Sequence, residues 1–200
     1  ELSKFDGIFI PYGFGSRGSE GKISAISFAR VNDIPFLGIC YGFQLAVIEF
    51  ARNICGLKNA NSCEIISNSP HPVIDIMPEQ RNIESKGATM RLGSHKIVVK
   101  PGTIAYSLYK SESIYERHRH RFEVNLNYIK ILKENGLMFS GKSADGRRME
   151  ILELPNHFFF FASQFHGEFK SRPGKPSPPY YGFIKACINK KKGKAKPVFI

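Results

Sequence analysis

FLGICYGFQLA, residues 36–46, sets a cysteine between two glycines where two patterns meet. Upstream, IPFLGI is short and almost wholly apolar, as expected of a central strand covered on both faces. Downstream, from about Gly42 to Cys55, Leu45, Val47, Ile48 and Phe50 mark a helix, and Gly56 stands where a C-terminal cap would. The layout Gly38-x-Cys40-x-Gly42 is that of a strand-to-helix elbow, whose glycines let backbone and helix pack closely while the middle side chain points out. A helix N-terminus beside the sulfur favours thiolate over thiol. The amide of Tyr41 is then available to a developing oxyanion. Against this stands a plainer reading, in which Cys40 is a small buried hydrophobe at a tight turn.

Working outward, FDGIFIPYG reads as a strand from Ile8 to Pro11 entering a glycine-rich loop, and residues 21–32 place Ile23, Ile26 and Ala29 at helical spacing. Strand, helix, strand, helix argues for an α/β fold with an open, mostly parallel sheet flanked by helices. Additional β-hairpins are expected, one in GATMRLGSHKIVVKPG turning at Gly93–Ser94 and one in SGKSADGRRMEILEL turning at Asp145–Gly146. NYIKILKENG reads as a short helix, HFFFFASQFH as a strand, SRPGKPSPP as a loop and YYGFIKACINK as a last helix. Residues 1–188 form one domain in this reading, and 189–200 a basic, solvated tail.

With 42% hydrophobic and 23% charged residues, the 200-residue chain has an ordinary globular composition. No apolar run approaches the roughly 20 residues of a membrane span, and the first residues do not resemble a signal peptide. Four cysteines without a C-x-x-C pair exclude a zinc ribbon and a disulfide scaffold, so no metal and a reducing, cytoplasmic setting are expected. The net charge of +12 is concentrated in ERHRHR (116–121), GRR (146–148) and NKKKGKAK (189–196). No helix-turn-helix, zinc-finger or RNP-type pattern accompanies it, so neither nucleic acid nor membrane is an expected partner.

A thiolate nucleophile needs a base and a group to orient that base. Of six histidines, His166 follows a hydrophobic strand with Glu168 two residues on, the same face of an extended segment. His118 and His120 lie among arginines whose field disfavours an imidazolium, while His71, His95 and His157 suit surface or capping roles. A Cys40–His166–Glu168 set is the candidate constellation, with the sulfur expected within about hydrogen-bonding reach of the ring. Cys55, Cys63 and Cys187 lack comparable surroundings.

These stretches, with LKNANSCE, MRLG, ERHRHRFEVN and QFHGEFKSRPGKPSPPYYGF, make the chain from about Asp6 to Ile188 similar to the class I (triad-type) glutamine amidotransferases, which have a flavodoxin-like fold, and within them to the glutaminase domain of CTP synthase. The resemblance implies that Cys40 attacks the side-chain amide of L-glutamine to give a γ-glutamyl thioester, with His166 as general base and acid oriented by Glu168. It implies an oxyanion hole from the amides of Gly13 and Tyr41, and glutamine binding by Gly13, Tyr41, Gly42, Phe43, Gln44, Glu64 and Arg121. An acid such as Glu64 is what an α-ammonium requires. In the family the ammonia passes to a synthetase domain that uses ATP and Mg2+ to aminate UTP to CTP, GTP activates hydrolysis, and the whole enzyme is a homo-oligomer. None of that synthetase's phosphate-binding sequence occurs in this chain, and the domain's usual N-terminal part is not represented.

Two local departures stand out. The family's P-G-G-F-G loop reads Pro11-Tyr12-Gly13-Phe14-Gly15, which predicts backbone strain on the order of 1–2 kcal/mol at Tyr12 if a glycine-like angle is required there, and crowding of the pocket by its ring. The family's His-Pro-Glu reads His166-Gly167-Glu168, which predicts a looser pair. Rival readings are a catalytically impaired regulatory or scaffold module of the same fold and a γ-glutamyl hydrolase.

Overall fold

The computed structural model describes residues 1–77 and 90–196. In chain order the strands are β1 (Ile8–Ile10), β2 (Phe36–Ile39), β3 (Ala60–Ser62), β4 (His71–Ile76), β5 (Arg91–Val99), β6 (Ser113–His120), β7 (Phe122–Val124), β8 (Met138–Ser143), β9 (Met149–Glu153) and β10 (Phe160–Ser163). The helices are α1 (Ser19–Val31), α2 (Tyr41–Asn53), α3 (Ile104–Tyr109), α4 (Ile129–Glu134) and α5 (Pro178–Lys191). None of the described helices is long and apolar enough to cross a membrane.

A seven-stranded sheet runs in the order β1-β2-β10-β9-β8-β5-β6, and β3-β4-β7 form a small second sheet. As expected of a strand covered twice, β2 is buried along its whole length. Phe36 enters the core shared with α1 and α2, while Leu37 and Ile39 enter a second core with α3 and α5. Two parallel partners hold it, with Phe36 opposite both Ile8 and Phe160.

The α/β architecture with flanking helices agrees with the sequence reading, but its parallel part is smaller than expected. β1–β2 and β2–β10 are parallel, whereas β10–β9, β9–β8, β8–β5 and β5–β6 are antiparallel. Residues 144–148 and 154–159 are links too short for a crossover, which needs about a dozen residues or more, so the strands that they join must run antiparallel. The hairpins thus continue the sheet instead of decorating it.

The turn at Asp145–Gly146 is present, with Gly146 at φ +73. The turn at Gly93–Ser94 is not. β5 runs straight through it, with Gly93 at φ +88 opposite His118, and the chain reverses only around α3. Gly87 to Thr89 of that stretch lie outside the described residues.

Two further corrections concern the C-terminal region. Pro178 and Pro179 belong to the first turn of α5, where a missing N–H is no loss. Of the residues read as a basic, solvated tail, 189–191 are the last turn of α5, while 191–196 are exposed as expected; Lys190 Nζ donates to Asp33 O at 2.8 Å, and Lys196 Nζ to Pro155 O at 2.7 Å.

Candidate active site

The elbow is built as the two glycines predict. A Cβ on Gly42 would lie 2.1 Å from the carbonyl oxygen of Ile10, and one on Gly38 2.9 Å from the Gly42 carbonyl. Cys40 itself sits at φ 53, ψ −95, a backbone costing on the order of 1–3 kcal/mol for a residue with a side chain. It is held there by bonds from Cys40 N to Ser163 O at 2.7 Å and from Gln44 N to Cys40 O at 3.1 Å.

Cys40, His166, Gly13, Gln44, Glu64 and Arg121 line one pocket, and Tyr12, Phe14, Arg119, His120 and Phe169 complete much of its wall. His166 Nδ1 meets Glu168 Oε1 at 2.7 Å. The two side chains meet because Gly167–Lys170 is a 3-10 turn, not because the segment is extended. Glu168 Oε2 accepts from Tyr180 Oη at 3.2 Å. Burial alone would raise the Glu168 carboxyl, but the hydrogen bonds from His166 and Tyr180 hold it below the usual range. His166 Nε2 is buried and has no hydrogen-bond partner.

The sulfur and the ring share the pocket, yet no hydrogen bond joins them. Cys40 Sγ instead lies 3.8 Å from Arg119 O and receives Gln164 Nε2 at 3.6 Å. Burial pushes the thiol up to about 12. The Tyr41 amide and Gln164 oppose that rise, and the negative charges of Glu168 and Glu64 add to it. The expectation of a resting thiolate is therefore corrected: desolvation outweighs the helix N-terminus here.

The other expected residues divide into two sets. Glu64 Oε1 accepts from Gly15 N at 3.2 Å; burial raises its carboxyl, and the Gly15 amide and Arg121 charge counter it. Gln44 Nε2 donates to Phe122 O at 2.9 Å and to Gln164 Oε1 at 3.2 Å, a chain that ends on the sulfur. Gly13 lies against Tyr41, since a Cβ there would be 3.3 Å from the ring. The Tyr41 phenol turns away to donate to Gly15 O. Phe43 is buried in the core and Gly42 abuts Ile10, so this pair can offer a ligand only its backbone.

The backbone strain expected at Tyr12 is not found. Tyr12 has no positive φ, so no glycine-like backbone is forced on it. It is 61% exposed and packs against the His166 ring with centroids 5.3 Å apart, while Phe169 stacks on the same ring at 5.3 Å. At Gly167 the missing side chain leaves the space that Ser177 Oγ fills, and His166 and Glu168 on either side of it meet at 2.7 Å.

The histidines of RHRHR are not at the surface. Alternation along β6 exposes Arg117 and Arg119 and buries Glu116, His118 and His120. His157 is likewise buried, 3.0 Å from Ala29 O. His120 Nδ1 must donate to the Phe122 carbonyl at 3.0 Å, so its Nε2 accepts from His118 Nδ1 at 3.1 Å. Burial and the Arg91 charge keep both rings neutral, His118 well below the usual range and His120 down to about 3. With Glu150 they form the one group of potential metal ligands among the described residues. Arg91, 2.6 Å from Glu150 Oε1, already supplies the positive charge that a cation would bring.

Sequence reasoning missed Gln164 and Tyr180. The signal for Gln164 was the parallel register: Ser163 lies opposite Ile39, so the next residue comes beside Cys40. Nothing in the sequence marks Tyr180.

Comparison with known proteins agrees with this geometry. Residues 1–186 match the family "Glutamine amidotransferase class-I". The glutaminase domain of CTP synthase from Trypanosoma brucei, solved with bound acivicin, superposes with a TM-score of 0.89 and 42% identity, covering 98% of this chain and 75% of that one. The chain belongs to the class I glutamine amidotransferases, as a glutaminase domain of the CTP synthase kind. It is 62% identical to CTP synthase of Archaeoglobus fulgidus, over 92% of this chain and 34% of that protein. With CTP synthase of Pyrococcus furiosus the identity is 59%, over 96% and 36% respectively. The chain thus spans about a third of the length of the curated relatives it matches.

Proposed function

We propose that this glutaminase domain hydrolyses L-glutamine to glutamate and ammonia through Cys40. The observation that carries the reading is His166, tied to Glu168 through Nδ1 while its buried Nε2, without a partner, shares the pocket of the cysteine. Entry of the substrate amide brings the thiol proton to His166 Nε2 as sulfur bonds to the amide carbon. The oxyanion so formed takes hydrogen bonds from the amides of Gly13 and Tyr41. His166 returns the proton to the amide nitrogen, the C–N bond breaks and ammonia leaves. Water, deprotonated by the same ring, then attacks the thioester, releasing glutamate and restoring the thiol. Glu64 receives the α-ammonium of glutamine, Arg121 its α-carboxylate, and Gln44 with the backbone of Gly42 and Phe43 completes the cradle.

In the whole protein the ammonia serves a synthetase domain that aminates UTP to CTP with ATP and Mg2+. GTP is the activator, the assembly a homo-oligomer and the compartment the cytoplasm. The length of the relatives and four free cysteines support this wider reading.

Acivicin, the compound bound in the Trypanosoma brucei relative, is the direct probe. Selective labelling of Cys40, blocked by glutamine, together with ammonia release that is lost in Cys40→Ala, is expected. Absence of both would favour the impaired scaffold, the reading to which the raised thiol and the absent Cys40–His166 bond lend weight. Preference for larger γ-glutamyl compounds over free glutamine would favour a γ-glutamyl hydrolase.

A further inference from the structure

We infer that Tyr180 is a positioning residue for the site, holding the second oxygen of Glu168 so that the first stays on His166. The inference rests on the reading of His166 and Glu168 as the working pair. A carboxylate that is held by one oxygen can pivot about its terminal bond and present either oxygen, or a different lone pair, to the imidazole. Here both oxygens have partners: Oε1 meets His166 Nδ1 at 2.7 Å and Oε2 takes the Tyr180 hydroxyl at 3.2 Å.

The phenol is placed by contacts that do not involve the histidine ring. It stands in the first turn of α5, whose entry is fixed by Pro178 and by Ser177 N donating to Ser171 Oγ at 3.2 Å. Its ring packs edge-on against Phe9 of β1, centroids 5.6 Å apart. Burial and the neighbouring Glu168 charge hold the hydroxyl far above its ordinary titration range, so it remains a donor throughout. A hydrogen bond to an ionised acceptor stabilises the charged form. Removing it must therefore raise the Glu168 pKa as well as free its rotation.

The test is Tyr180→Phe, which keeps the ring and deletes only the donor. Turnover is expected to fall about three- to tenfold with KM for glutamine little changed, the size of one such bond. The Glu168 carboxyl, followed by carbon NMR and assigned by its disappearance in Glu168→Gln, should titrate at higher pH. That measurement needs no turnover, so an inactive wild type would count against the glutaminase reading without deciding the role of Tyr180. Should the variant fold poorly, 3-fluorotyrosine at position 180, a stronger donor of nearly the same shape, should move the carboxyl to lower pH. A Glu168 pKa that stays put in a folded variant, or a Tyr180→Phe loss that persists undiminished in a Glu168→Gln background, would overturn the inference and leave Tyr180 a packing residue.

Discussion

Ser177 Oγ lies 2.6 Å from the point that a Cβ on Gly167 would occupy, so each of these positions permits the other. Ser177 Oγ is also buried without a hydrogen-bond partner. The serine therefore fills space next to the His166–Glu168 turn and gains no polar contact by doing so. Gly167→Ala should displace that turn, destabilise the fold by about 1–3 kcal/mol and lower kcat/KM. Combining it with Ser177→Ala should recover most of both losses, as read by thermal unfolding and ammonia release. A harmless Gly167→Ala would show that the turn has slack.

The backbone of Cys40 should be relieved by glycine. Both Cys40→Ala and Cys40→Gly remove the sulfur and are expected to be inactive, but only glycine adopts φ +53 at little cost. Cys40→Gly should be more stable than Cys40→Ala by about 1 kcal/mol in denaturant titration. Equal stabilities would mean that the elbow stores no strain.

Tyr12 leans on the His166 ring at 5.3 Å, a contact expected to steady the imidazole. Tyr12→Gly should lower kcat severalfold, since one aromatic contact is worth about 0.5–1.5 kcal/mol. Tyr12→Phe should keep most of the activity. A rise in turnover with Tyr12→Gly would restore the view that the ring crowds the site.

The state of the thiol can be read from its pH dependence. With the Cys40 pKa pushed up to about 12, the thiolate fraction rises about tenfold per pH unit throughout the accessible range below that value. Alkylation by iodoacetamide in the absence of glutamine, followed at the Cys40 peptide by mass spectrometry, should keep accelerating from pH 7 to 10. A plateau near neutrality would reveal a resting thiolate–imidazolium pair.

Much of this site was legible because its logic is local. Gly38 and Gly42 announce the elbow through close approach, and His166 with Glu168 through a two-residue spacing, although a tight turn, not a strand, makes that spacing work. What stayed hidden depends on contacts between distant segments. Short links can decide strand direction, but Gly93 shows that a glycine with positive φ need not reverse the chain when a long partner strand pairs across it. The thiol pKa is set by how much protein covers the sulfur, and no motif encodes that cover. Likewise the docking of Lys190 on Asp33 joins residues 157 apart, while composition suggested only free solvent.

The pocket draws its walls from the middle and the rim of one sheet. Cys40 follows β2, which is paired on both sides, whereas Arg119 and His120 come from β6, which ends the strand order with β5 as its neighbour. Amide protons in a border strand exchange through small openings, those in a central strand only through large ones. Breathing of β6 would thus reach the base first, through the bond from His166 N to Arg117 O at 2.8 Å, while the backbone that carries the sulfur stayed anchored in the middle of the sheet.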